Sequence, residues 1–114
     1  MALNFDTATP NKLLAAFKKA IDDGHVDTWS YNAAGDFTHI PPQWKGEALM
    51  RPEVFAGRLT FSFLRKRTEK TSRELYAVYH GRLAESFLVH CDQLFDNVSA
   101  TALATNSDRL VAVA

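Results

Sequence analysis

An α+β fold is predicted for this chain, a two-layer sandwich in which two helices pack on an antiparallel sheet of about four strands, in the order α-β-β-β-β-α. Three features of the 114 residues predict it. Apolar residues recur at helical spacing toward both ends, the middle alternates apolar and polar with a period of two, and Gly or Pro separates the segments.

Thr9-Pro10 marks the first helix, because a Thr hydroxyl can accept an orphan backbone N–H and proline loses nothing at the first helical position. Leu13, Leu14, Phe17, Ala20 and Ile21 form its apolar face, and Gly24 closes it. Trp29 and Tyr31 then alternate with Thr28 and Ser30, and Asn32-Ala33-Ala34-Gly35 turns the chain into a second strand, Phe37 to Ile40. Pro41-Pro42 forces a break before Trp44, since neither residue can donate to a ladder. Lys45 to Arg51 reads as a third strand ended by Pro52. Leu59, Phe61 and Phe63, alternating with Thr60 and Ser62, give the fourth. Residues 73–79 fit two patterns. Thr71-Ser72-Arg73-Glu74 resembles a capping box, yet Leu75, Ala77 and Tyr79 also alternate, and Gly81 would interrupt a helix. A strand to Tyr79 and a helix from Arg82 is the reading adopted, with Leu83, Phe87, Cys91, Leu94 and Val98 along one helical face. Residues 1–98 are expected to form the domain, with 99–114 a tail whose Leu110 to Val113 can add an edge strand.

Composition excludes several classes. Thirteen basic residues balance thirteen acidic ones, so no net field steers the chain to nucleic acid or an anionic membrane. One cysteine cannot build a disulfide framework or a cysteine-based zinc cluster. Residues 1–6 lack the pattern of a secretory signal, and no apolar run is long enough to span a bilayer, so a cytoplasmic location is expected.

No motif dictates a chemistry. Walker loops, Gly-x-Gly-x-x-Gly and Gly-x-Ser-x-Gly are missing, and His25, His39, His80 and His90 with Asp27, Glu85 and Asp92 lack metal-ligand spacings, so no metal or cofactor is expected. Cys91 and His90 are neighbours on a helix and point about 100° apart, too divergent to share a proton. Two constellations remain. Trp44, Tyr79, His80, Arg82 and Glu85 gather near the second helix start, where an arginine and free N–H groups suit a small anion; the structural alternative is a Gly81 turn with Arg82 paired to Glu85. Arg65, Lys66, Arg67, Lys70 and Arg73 form a basic loop that suits phosphates or simply keeps a strand edge soluble.

The first functional expectation is a non-catalytic interaction or regulatory module of a bacterial-type cytoplasmic protein, a homodimer or a subunit on a protein partner. The alternatives are a small anionic-ligand-binding protein or minor enzyme using the first constellation, and a nucleic-acid binder using the second.

Overall fold

Leu3 and Phe5 alternate with Asn4 and Asp6, and a strand is what such a pattern forms when one face is covered. In the computed structural model, which describes residues 2–65, 72–102 and the backbone of 109–110, they lie in β1 (Ala2–Asp6). There follow α1 (Pro10–Asp22), β2 (Trp29–Tyr31), β3 (Phe37–His39), β4 (Leu49–Phe55), β5 (Arg58–Arg65), α2 (Arg73–His90), β6 (Asn97–Ala100) and β7 (Arg109–Leu110). The sheet runs β2-β3-β4-β5-β1-β6 with antiparallel neighbours, and the two-residue β7 pairs with β5 in parallel.

The class is α+β with an antiparallel sheet and two helices, but the expected strand number and order need correction. Six strands form the path. A strand precedes α1 and another follows α2, and β1 is inserted between β5 and β6. Residues 99–100 and 109–110 therefore contribute to the sheet.

Three local readings are also corrected. Residues 73–79 are helix: Ser72 Oγ accepts the Leu75 N–H at 3.0 Å, and Leu75, Tyr79, Leu83 and Phe87 share the buried face. Four-residue steps decide between the patterns, because only the helix buries all four rings and chains together. Gly81 stands in mid-helix. Val98 belongs to β6, since α2 stops at His90. The expected Lys45–Arg51 strand begins at Leu49 and runs through Pro52 to Phe55. Proline is tolerated because β3 meets β4 only at the Phe37–Met50 pair, so beyond it the outer side of β4 has no strand partner among the described residues.

The start of α1 is secured differently from the expectation. Thr9 makes no side-chain cap; instead Thr7 Oγ1 accepts the Thr9 N–H at 3.1 Å and donates to Leu94 O at 2.6 Å, joining the helix entrance to the segment after α2. At its other end Gly24 takes φ +81°, and His25 N–H returns to Ala20 O, as a left-handed terminator requires.

Both helices cover one face of the sheet. Phe17 of α1 stacks on Phe87 of α2 at 4.1 Å between centroids, and Phe87 meets Phe5 of β1 at 4.3 Å and Phe61 of β5 at 5.6 Å. All four rings are fully buried. The sheet curls around α2: Tyr79 lies 5.6 Å from Trp29 of β2 and 6.0 Å from Phe63 of β5. Those strands are three steps apart, about 14 Å in a flat sheet, so one ring touches both only where the surface is concave. Among the described residues no helix is long and apolar enough to cross a membrane.

Candidate functional site

The β2–β3 hairpin and the loop after it form one wall of a cleft, and α2 forms the other. Pro41-Pro42 opens a turn in which the N–H groups of Trp44 and Lys45 both reach Pro41 O, at 2.9 and 3.0 Å. This turn sets Trp44 against the core. Tyr79 then fastens it to α2: its hydroxyl donates to Trp44 O at 2.7 Å and accepts the Ala48 N–H at 3.3 Å. Burial raises the Tyr79 phenol above its ordinary range, so it stays protonated and keeps donating.

The resulting cleft, about 250 Å³, is lined by Thr28, His39, Pro41, Trp44, Arg82, Glu85 and Ser86. Arg82 Nη1 donates to both Glu85 oxygens, at 3.3 and 3.2 Å. Its Nε and Nη2 make no hydrogen bond to a described residue, which leaves the face suited to a bidentate carboxylate unengaged. Both partners are more than half exposed, so the pair contributes at most about 1 kcal/mol and yields readily to a competitor.

His39 is the most informative member. The residue is 4% exposed, its ring lies 4.7 Å from that of Trp29, and its Nδ1 is 2.9 Å from Thr28 O. A carbonyl can only accept, so Nδ1 carries the proton and the lone pair of the neutral ring sits on Nε2. Nε2 bonds to no described residue. Desolvation lowers the His39 pKa; the Thr28 carbonyl raises it, Arg82 lowers it and Glu85 raises it by smaller amounts.

Trp44, Arg82 and Glu85 of the sequence-derived group therefore meet at one cleft. Tyr79 lies behind it as a fastening. His80 is separate: it is buried on the other side of α2, with Nδ1 2.7 Å from Tyr76 O and its ring stacked on Phe63 at 6.0 Å. There it borders an apolar groove of about 340 Å³ between α2 and β1–β6, lined also by Leu3, Ala77, Gly81, Ala84 and Val98. His39, Thr28 and Ser86 had been missed. The signal for His39 was available, since it shares the core-facing phase of β3 with Phe37, and a polar side chain at such a position is the unusual observation.

Two members of the basic cluster, Arg65 and Arg73, are among the described residues. Arg65 is nearly buried and its Nη2 donates to Glu47 at 3.1 Å, whereas Arg73 is exposed at the start of α2. Lys66, Arg67 and Lys70 lie outside the described residues. Cys91 is buried beneath the end of α2, and desolvation, then Asp92, raises its pKa away from thiolate character. No group of metal-binding side chains occurs among the described residues.

Comparison of the chain with family models, with curated proteins and with solved structures finds no match.

Proposed function

We propose that the domain binds a small organic acid in the cleft between the β2–β3 hairpin and α2. The observation that carries this reading is the meeting in one polar recess of Arg82, which pairs with Glu85 through Nη1 alone, His39, whose Nδ1 is taken by Thr28 O, and Trp44. Its volume is just below the range of roughly 300–1,000 Å³ usual for small-molecule sites, which favours a ligand of a few heavy atoms. Arg82 holds the acid group, Trp44 covers the ligand, and His39 Nε2 accepts a donor or faces an acidic proton.

Titration with acetate, pyruvate, acetoacetate and inorganic phosphate, followed by amide and indole NMR shifts, tests the proposal. At least one carboxylate is expected to give saturable shifts at Trp44 and around His39, with affinity falling about 10-fold or more in Arg82→Gln, the scale of a lost charge-assisted hydrogen bond. No saturable shift at millimolar concentration removes the reading.

Self-association is the second reading, supported by the apolar groove beside β6, whose outer edge has no strand partner among the described residues, and by exposed Leu88 and Val89 on α2. Size-exclusion chromatography with light scattering decides it. A mass of one chain at all concentrations excludes the dimer.

A further inference from the structure

Two histidines, His39 and His80, are buried, and of the two His39 lines the polar cleft. Resting on the ligand reading above, we infer that this cleft is a proton-transfer site in which His39 Nε2 removes a proton from the carbon beside the keto group of a small oxo acid held through its carboxylate by Arg82. The residues supply what such a step needs.

Tautomer and aim come first. The Thr28 carbonyl fixes the proton on Nδ1, and the His39 ring is held between Trp29 at 4.7 Å and Tyr79 at 6.0 Å. The Trp29–His39 register pair places both rings on one face of the hairpin. A base held in this way needs no reorientation when substrate arrives, which is the entropic advantage of a built site. The charged groups that bear on it come from α2, Arg82 and Glu85, and its burial favours the neutral, proton-accepting form at neutral pH.

The charge balance follows. The carbon–hydrogen bond breaks, the proton passes to Nε2, and the electron pair moves into the adjacent carbonyl to give an enolate. Arg82 and the Ser86 hydroxyl, on the α2 wall, meet the negative charge; Thr28 O and Glu85 favour the imidazolium. The imidazolium then returns its proton, or one exchanged with solvent, to the same carbon. The reaction is a hydrogen exchange, and it consumes no oxidant or co-reactant.

Hydrogen exchange in D₂O tests the step, with pyruvate and acetoacetate as probes and loss of their proton signals followed by NMR. Exchange above the buffer rate is expected, with a pH profile rising through a pKa below the ordinary histidine value of 6.5. It should fall about 100-fold or more in His39→Gln, within the usual worth of a general base, and stay within two-fold in His90→Gln, whose side chain is exposed on α2. If either acid gives saturable shifts at Trp44 yet exchanges equally with wild type and His39→Gln, the proton-transfer inference is overturned and the binding proposal stands. If neither acid binds, the proton-transfer inference is overturned, and the binding proposal falls with it when acetate gives no saturable shift either. Should His39→Gln fail to fold, the wild-type profile decides, because exchange that does not follow the ¹⁵N titration of His39 also overturns the inference.

Discussion

The two recesses flanking α2 make an instructive pair. The groove toward β1 and β6 is the larger, about 340 Å³ against 250 Å³, but it is lined by Leu3, Ala77, Gly81, Ala84 and Val98, and its one histidine is turned to its own helix. The smaller cleft brings together His39, Arg82, Glu85, Ser86 and Trp44. Size ranks them one way and chemistry the other. A chemical role needs polar atoms that the fold has left partly unsatisfied, and those occur on the hairpin side.

The strongest way to break the comparison is to remove the divider. Phe87 holds α2 to both β1 and α1, so Phe87→Ala should destabilise by about 3–5 kcal/mol in urea unfolding and degrade both recesses together. Tyr79→Phe sharpens it. Loss of the hydroxyl leaves the buried Ala48 N–H unpaired, while Trp44 O keeps the Glu47 N–H at 3.2 Å; at a cost of about 1–3 kcal/mol it should loosen the Trp44 turn and weaken carboxylate binding while chemical shifts of Val98 and Ala100 stay in place.

A smaller effect follows from proton linkage. The folded-state pKa of His39 is lowered, so between that value and the ordinary 6.5 the unfolded chain binds more protons than the folded one. Stability therefore rises with pH across this window, and acid destabilises from about 6.5 downward until His39 itself is protonated. Midpoints of urea unfolding measured from pH 7.5 to 5 should show this slope in wild type and a flatter one in His39→Gln. The smallest change in stability is expected for Arg82→Gln, within about 0.5 kcal/mol, because its partner is exposed; its effect should appear in carboxylate affinity and in the exchange rate instead.

Local patterns were legible and distant ones were not. Helix α1, the Trp29 to His39 hairpin and the Phe61 alternation could be read directly because each has its turn chemistry within a few residues. Strand β1 carries only two apolar alternations, and nothing nearby announces that Leu3 pairs with Phe61 on one side and Ala100 on the other. At Leu75 to Tyr79 both periods fit, and the choice needed Leu83 and Phe87 to be buried beside them. Proline signals a strand end locally, but Pro52 continues β4 because its ladder partner there is Phe61 of β5. In the site, Arg82 and Glu85 were legible from their spacing and Trp44 from its loop. His80 is two residues from Arg82 in sequence yet borders the apolar groove, whereas His39, distant in sequence, lines the polar cleft with it.

The pairing of β1 with β6 has a consequence for how the molecule forms. Leu3 and Ala100 are neighbours in the sheet although almost the whole chain separates them, and Ala2 is bonded to Thr101 through both its carbonyl and its N–H. On a ribosome the first strand emerges long before that partner exists. Until β5 is made it has nothing to pair with, and until β6 follows one of its edges is bare. Closing so long a loop is entropically slow, so the docking of β6 on β1 should come late in folding, and the waiting edge of β1 is exposed to wrong partners in the meantime.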